Sequence, residues 1–221
     1  DKKLKHLFEK SPFKIVTDLQ NQEKIDYFQN LLSLPGIFYK NNKFIQGPIN
    51  YINIDKEKNL ILKNKLKKFN KPIIALNWQG NKDFLFDYER SINLNQFKNI
   101  LKIEKFKFIS LQKNFGSEQI SKYDLSSLIH DLSDKIDLNE NAFEDTINIL
   151  NNIDLLITTD TALAHLAGTM CIKTYLLLSY NPEWRWLIEL KHKCFYPNLN
   201  IVQQKKFNDW DGVFLELEKI L

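Results

Sequence analysis

The sequence predicts an α/β fold built on a doubly wound parallel sheet, and two observations support this prediction. From residue 72 onwards, short apolar runs alternate with amphipathic segments, which is typical of a parallel sheet covered by helices on both faces. The clearest run, Ile153 to Thr158, is apolar apart from Asp154, as expected of a strand buried on both faces. The chain has 221 residues, 43% of them hydrophobic, which is enough to bury a substantial core.

Six strands and six helices are predicted in this regular half, each strand being a short apolar run bounded by turn residues. The predicted strands are Pro72–Trp78, Phe106–Leu111, Lys135–Leu138, Ile153–Thr158, Thr174–Ser179 and Asn200–Gln203. The predicted helices are Asn93–Ile103, Gly116–Tyr123, Asn141–Asn151, Ala162–Thr169, Pro182–Leu190 and Trp210–Leu221.

The first 71 residues are less regular. The pattern predicts a short strand from Phe13 to Thr17 and a lysine-rich helix from Asp55 to Phe69, with Leu60, Leu62 and Leu66 facing inward. An Asn-Lys-Pro sequence ends this helix at residues 70–72, because proline disfavours helix in the residue before it. We place a domain boundary there, between residues 1–71 and 72–221.

Composition narrows the functional classes. The formal net charge is +4 and the lysines are scattered, so nothing favours nucleic-acid binding. No membrane span or signal peptide is present; we expect a cytoplasmic protein and leave open a peripheral position at the inner membrane. Cys171 and Cys194 lie far apart with no CxxC motif, which indicates reduced core residues. The only methionine is Met170, so we expect a piece of a longer chain.

The strongest candidate site follows the Ile153–Thr158 strand. Asp160 and Thr161 are good N-cap residues, and the helix that begins at Ala162 has no charge in its first turn. Free backbone N–H groups and the helix dipole suit a diphosphate at such a position, with Asp160 binding ligand hydroxyls. His165, in the same motif, is a further candidate donor-binding residue. The same pattern also fits a plain capped helix in which His165 is a core histidine.

Two other predicted strand ends carry polar residues. Gln79, Gly80 and Asn81 follow the first strand, and a long insert after them ends at Arg90, a residue type that binds phosphate bidentately. At the end of the second strand, Gln112 and Lys113 have the chemistry to meet a base or ribose and phosphate charge. Each motif alone suits an ordinary turn, but parallel strands bring such ends to one edge, where ligands bind.

Asn181 and Pro182 predict a helix start, followed by Trp184, Arg185 and Trp186. The two tryptophans either wall a cleft or seal the end of the sheet, and we favour the sealing role for Trp186. The role of Arg185 stays open between a cleft residue and a structural ion pair.

Several sequence signatures are absent. There is no GxGxxG, no GxxxxGK[ST] and no GxSxG motif, and no cluster of His, Cys and carboxylates has metal-ligand spacing. These absences weigh against nicotinamide or flavin Rossmann enzymes, P-loop NTPases, α/β-hydrolases and zinc sites. We therefore expect no cofactor and no metal.

Five motifs occur in a characteristic order: WxGN, RSI, SLQK, DTxxxHLAG and NPEWRWL. Together they resemble the glycosyltransferase domain of bacterial tetratricopeptide-repeat proteins, which is related to glycosyltransferase family nine, the ADP-heptose:lipopolysaccharide heptosyltransferases. The resemblance starts near Asp26, in DYFxxLLSLP, and ends near Gly212. It implies a GT-B fold of two Rossmann-like domains, with residues 72–221 binding the nucleotide sugar and residues 1–71 ending the acceptor domain.

The resemblance also implies site residues. Asp160, Thr161 and the Ala162 amide would face the donor diphosphate and sugar, Gln79, Gly80 and Asn81 would line the cleft, and Gln112 and Lys113 would lie near the nucleoside. Phe28 stands at a position that is usually polar in relatives, and Cys171 stands where Gly is common. The catalytic base is expected in the half that is missing here, so this chain would bind donor without turnover.

Three functional hypotheses remain. The first is the donor-binding half of an inverting, metal-independent glycosyltransferase, whose acceptor is a glycan, a glycolipid or a protein, and whose upstream repeats bind protein. The second is a non-catalytic scaffold with a degenerate cleft, which Phe28 favours. The third is another nucleotide-binding α/β enzyme of this architecture, such as a sugar epimerase.

Overall fold

A six-stranded sheet organises the computed structural model, which describes residues 2–16, 26–38, 50–186 and 195–221. All paired strands are parallel. The strands are β1 (Ile73–Asn77), β2 (Lys107–Ser110), β3 (Ile129–Asp131), β4 (Leu155–Thr159), β5 (Thr174–Leu178) and β6 (Leu199–Gln203). Their order across the sheet is β3-β2-β1-β4-β5-β6.

Helices connect and cover the strands. The α-helices of the described residues are α1 (Leu34–Phe38), α2 (Lys56–Lys67), α3 (Asp87–Arg90), α4 (Lys98–Leu101), α5 (Gln119–Lys122), α6 (Glu144–Leu150), α7 (Ala162–Thr169) and α8 (Trp210–Ile220). Helices of the 3₁₀ type cover Lys2–Phe8, Leu31–Ser33, Leu94–Phe97 and Trp184–Trp186. No helix in these ranges combines the length and apolarity needed to cross a bilayer.

The sheet is buried on both faces because its strands alternate apolar side chains between two cores. In β1, Ile74 and Leu76 enter a core shared with α4 and α8, whereas Ile73 and Ala75 enter a core shared with α2, α6 and α7. Leu66 of α2 is part of the second core. The doubly wound parallel sheet predicted from the sequence is thereby confirmed.

The strand order reverses between β1 and β4. The chain moves outward from β1 through β2 to β3, then returns to place β4 beside β1 and moves outward the other way. The register pairs Asn77, the last residue of β1, with Thr158 near the end of β4. In such sheets the loops on either side of the reversal diverge and leave a crevice at the carboxyl edge, which is where ligands bind.

The prediction of a strand at Lys135–Leu138 is wrong. The third strand is β3, at Ile129–Asp131, and it pairs with β2. Residues 135–138 form a turn instead, because Asp137 has a φ of +48° and accepts a hydrogen bond from the N–H of Asp145 at the start of α6. The strand was predicted because polar and apolar residues alternate at 135–138, a pattern that is also typical of a half-buried strand.

Two predictions for the first 71 residues are also wrong. No strand forms at residues 13–16, where Phe13 and Val16 are exposed; Thr17 lies outside the described residues. The lysine-rich helix is present as α2 behind an Asp55 cap, but Leu60 is exposed rather than inward-facing.

The predicted helix at Pro182–Leu190 begins as a 3₁₀ turn, and its residues 187–190 lie outside the described part.

Cys171, which was expected in the core, is exposed and has a φ of +59°. Its N–H donates to the Gly168 carbonyl at 3.2 Å, and the Ile172 N–H donates to the Ala167 carbonyl at 2.9 Å. This pair of bonds is the Schellman motif, whose left-handed position usually carries glycine. Cys171 is therefore a strained end to α7. Cys194 lies outside the described residues.

Candidate ligand cleft at the carboxyl edge of the sheet

A buried polar network joins the ends of three strands at the crevice. Asn77 at the end of β1 donates from Nδ2 to Gln112 Oε1 at 2.8 Å, just beyond β2. Its Oδ1 accepts from the Thr158 hydroxyl at 3.1 Å and the Thr161 hydroxyl at 3.0 Å, both from the β4 side. Polar tips of neighbouring strands therefore do converge, and they bond chiefly to one another.

Gln112 is the centre of this network. Its Oε1 also accepts from the backbone N–H groups of Trp78, at 3.1 Å, and Gln79, at 2.9 Å. Its Nε2 donates to the carbonyls of Gln79 and Phe115, and the residue is only 2% exposed. The Gln112 side chain thus shapes the loop after β1 and has no free donor for a ligand.

Lys113 also serves the protein's own backbone. Its ammonium group donates to the carbonyls of Ile136 and Asp137. Asp137 in turn caps the start of α6. Two of the three N–H groups of Lys113 are therefore engaged at the turn before α6.

Arg90 spans the crevice from the insert after β1 to the end of β4. Its Nε donates to Asp87 Oδ1 at 3.0 Å, and its Nη1 donates to the Asp160 carbonyl at 2.8 Å. The guanidinium lies over the Phe84 ring, 4.6 Å from its centroid. Nη2 has no protein acceptor within the described ranges, so one edge of the fork remains for a ligand.

The loop at Gly80 holds Arg90 in place. The Gly80 N–H donates to Ser91 Oγ at 2.9 Å, and that hydroxyl donates to Asp87 Oδ2 at 2.7 Å. A Cβ on Gly80 would stand 2.6 Å from Arg90 Nη2, so any larger residue would push the Arg90 side chain aside. Asn81 is exposed, and its Oδ1 accepts from the Asp83 N–H, which starts the insert.

The start of α7 is open as predicted from the sequence. Thr161 has extended backbone angles, φ −134° and ψ 170°, and its side chain makes no capping bond because it donates to Asn77. The first N–H groups of a helix have no intrahelical acceptor. Those of Ala162, which is exposed, and Leu163 find none in the described part of the chain.

A cleft of about 350 Å³ is lined by Asp160, the residue before Thr161, but not by residues 161–163. Asp160 lies in its wall, only 5% exposed, and its carboxylate has no hydrogen-bond partner among the described residues. The residues of the lining that carry chemistry are Glu89, Arg90, Asp160, Ser179, Glu183 and Trp184. Of the sequence-predicted residues, the cleft wall therefore contains Asp160 and Arg90.

The insert after β1 and the end of β5 contribute residues that sequence reasoning missed. Phe84, Phe86 and Glu89 come from the insert, and Ser179 directly follows β5. The available signal was the aromatic content of an insert that otherwise reads as polar. Asp87 was missed as well, although it is buried and forms an ion pair with Arg90. An acidic residue in a polar insert is ordinarily expected to be exposed.

His165 has a structural environment. Its ring stacks on Trp186 at 4.6 Å between centroids, and Nδ1 lies 3.3 Å from the Tyr196 hydroxyl. Burial lowers the pKa of His165 to about 4, with a smaller contribution from the charge of Arg185. The ring is therefore neutral at pH 7. Trp186 is fully buried, as favoured from the sequence, and Arg185 lies 3.6 Å from Glu183.

These features define the class of the fold: a Rossmann-like α/β sheet with its crevice at the strand-order reversal. No protein-family model and no curated protein matches the sequence. Among solved structures, the chain is similar to a glycosyl transferase of family 9 from Veillonella parvula, at TM-score 0.49 and 11% identity, over 75% of this chain and 46% of that one.

Two further structures are similar to the chain. One is the ADP-heptose lps heptosyltransferase II of E. coli, at TM-score 0.48 and 8% identity, over 76% of this chain and 54% of that one. The other is the wall teichoic acid polymerase TagF, at TM-score 0.35 and 14% identity, over 57% of this chain and 33% of that one. The chain spans about half the length of the first two.

Proposed function

We propose that this chain is the donor-binding half of a glycosyltransferase that uses a nucleotide-diphosphate sugar. The observation that carries the proposal is that Arg90, whose Nη2 has no protein acceptor among the described residues, and the partnerless carboxylate of Asp160 share one cleft wall; the unpaired amides at the start of α7 follow Asp160 directly in the chain. Arg90 and the amides suit a diphosphate, and the carboxylate suits the hydroxyls of a sugar. The order of sequence motifs supports the same class.

The proposed chemistry is an inverting displacement at the anomeric carbon, without a metal. The diphosphate leaves as the acceptor hydroxyl attacks, so negative charge grows on the departing phosphate. Amides of Ala162 and Leu163, together with Arg90, would stabilise that charge, since their positions are fixed before the reaction. Gln112 and Lys113 would act indirectly, by shaping the loop after β1 and the turn before α6.

The remaining features of the proposal concern the whole protein. Residues 1–71 would end the acceptor-side domain, residues 72–221 would form the donor domain, and the base that deprotonates the acceptor would lie outside this chain. The acceptor would be a glycan, a glycolipid or a protein. This chain would accordingly bind donor and product nucleotide without transferring sugar.

The test is calorimetric titration of the chain with UDP, ADP and their glucose conjugates. Arg90→Gln should weaken nucleotide binding about tenfold or more, the effect of losing one charge-assisted hydrogen bond. Lys205→Gln is the control, because Lys205 is paired with Glu216 and is not part of the cleft lining, and it should change affinity less than about twofold. Absence of binding to every nucleotide, or equal effects of the two variants, would refute the proposal.

The second candidate function is a non-catalytic scaffold. It is favoured by Gln112 and Lys113, whose polar groups bond to the protein itself, and by Phe28, which is exposed at a position usually polar in the family it resembles. A scaffold predicts a folded protein whose thermal stability no nucleotide raises. The donor-binding proposal instead predicts stabilisation that grows with nucleotide concentration.

A further inference from the structure

The charge of the cleft wall is unbalanced within the described residues. Three carboxylates, those of Glu89, Asp160 and Glu183, face one guanidinium, that of Arg90. Arg90 is already compensated by Asp87 behind it. Glu183 is partly compensated by Arg185 at 3.6 Å. Among the described residues, Glu89 accepts a hydrogen bond only from the neutral hydroxyl of Tyr88, at 3.1 Å. This excess of negative charge favours a positively charged substituent on the molecule that the cleft binds.

Among the three carboxylates, that of Asp160 belongs to the most buried residue. The residue is only 5% exposed. Its carboxylate nevertheless makes no hydrogen bond within the described chain, since Arg90 bonds to its backbone carbonyl instead. Its carboxylate oxygens are not among the buried atoms that lack a partner, so they are accessible at the cleft. A ligand that supplies N–H or O–H donors can therefore reach them.

The cleft mouth adds aromatic faces. Phe86 and Trp184 line the cleft while remaining 52% and 48% exposed. Phe84 packs edge-to-face on Phe86, and its own face is covered by Arg90. Exposed aromatic faces beside carboxylates attract ammonium groups through cation–π interaction, and they also stack on the C–H face of sugar rings.

We propose that this cleft binds a protonated amine carried by a ring of monosaccharide size, with Asp160 pairing with the ammonium group and Phe86 and Trp184 covering the ring. A volume of about 350 Å³ accommodates such a ring. The assignment of this amine to a sugar substrate rests on the proposed function, whereas the preference for a positively charged substituent does not.

The test compares glucosamine with glucose and N-acetylglucosamine, two related sugars that carry no charge at neutral pH. In NMR titrations of the whole chain, glucosamine should bind at least about fivefold more tightly than either neutral sugar, and added salt should weaken only its binding. Asp160→Asn should remove the preference, about a tenfold loss for glucosamine. Glu89→Gln should reduce the preference less, because Glu89 is less enclosed.

Glu140→Gln is the control, since Glu140 is exposed and is not part of the cleft lining; it should leave glucosamine binding unchanged. Equal affinity for the three sugars, or a preference that survives Asp160→Asn in a folded variant, overturns the inference. Nucleotide binding without a glucosamine preference overturns this inference alone. A glucosamine preference without nucleotide binding refutes the proposed function and leaves the cation site standing.

Two sources of the amine are separable in the same titration. If the amine belongs to the transferred sugar, glucosamine should bind together with UDP or ADP and be displaced by the nucleotide-glucose conjugate that the chain binds. If it belongs to the acceptor, the conjugate should leave glucosamine binding in place.

Discussion

Gly80→Ala should displace Arg90 from the crevice. Gly80 has no positive φ, so alanine is acceptable to the backbone and the effect is purely one of space. The added Cβ would lie 2.5 Å from Asp87 Oδ1 and 2.6 Å from Arg90 Nη2. Both are roughly 1 Å closer than an ordinary contact of about 3.5 Å, so the ion pair must move.

The expected cost follows from what Arg90 would lose. Its bonds to Asp87 and to the Asp160 carbonyl are charge-assisted and mostly shielded, with the Arg90 side chain 20% exposed. Loss of one such bond together with local crowding should lower the free energy of unfolding by about 1–3 kcal/mol. Because Arg90 offers its free edge to the proposed diphosphate, nucleotide affinity should also fall by about tenfold.

The assay is urea unfolding followed by tryptophan fluorescence, with nucleotide titration of the same samples. Gly36→Ala is the matched control, because no atom lies within 4 Å of the Cβ it would add. In an Arg90→Ala background the penalty of Gly80→Ala should shrink, as expected for coupled sites. Equal stabilities of the Gly80 and Gly36 variants, or an undiminished penalty without Arg90, would refute this reasoning.

Three further predictions concern the scaffold. Gln112→Leu should lower the free energy of unfolding by about 3 kcal/mol, because it strands the N–H groups of Trp78 and Gln79; urea midpoints similar to wild type would contradict it. Cys171→Gly should stabilise by about 0.5–1 kcal/mol by relieving the left-handed strain, whereas Cys171→Ala should give no gain. The folded pKa of His165, about 4, lies below its unfolded value of 6.5, so its contribution is complete above pH 6.5 and is lost as pH falls towards 4. This loss should reach about 3 kcal/mol and be absent in His165→Gln, as measured by urea unfolding across that range.

Much of the fold was readable from the sequence because buried parallel strands are continuous apolar runs. The runs that became β1, β4 and β5 are buried throughout, so little else competes with that interpretation. The third strand failed for the opposite reason. β3 is only three residues long and carries His130 and Asp131, so its identity depends on pairing with β2 rather than on its own pattern.

The site was predictable only in outline. Spacing located Asp160 and Arg90, because strand ends and inserts mark the carboxyl edge. It could not reveal that Gln112 and Lys113 bond to the backbone around them, since this depends on distances across the sheet. Nor could it identify Glu89 or Trp184 as neighbours of Asp160, since they are separated from it by 71 and 24 residues.

The Asn77–Gln112–Thr161 network has an evolutionary consequence. It joins the ends of three strands by hydrogen bonds. The aromatic insert at residues 84–88 lies outside this network, and the bond between the Gly80 N–H and Ser91 Oγ closes its base. Substitutions at exposed positions of the insert, such as Phe86, can reshape the cleft wall without disturbing the sheet beneath, whereas the buried Asp87 is tied to Arg90 and Ser91. The shape of the cleft and the stability of the sheet are thereby largely separated along the sequence, and the two are free to diverge at different rates.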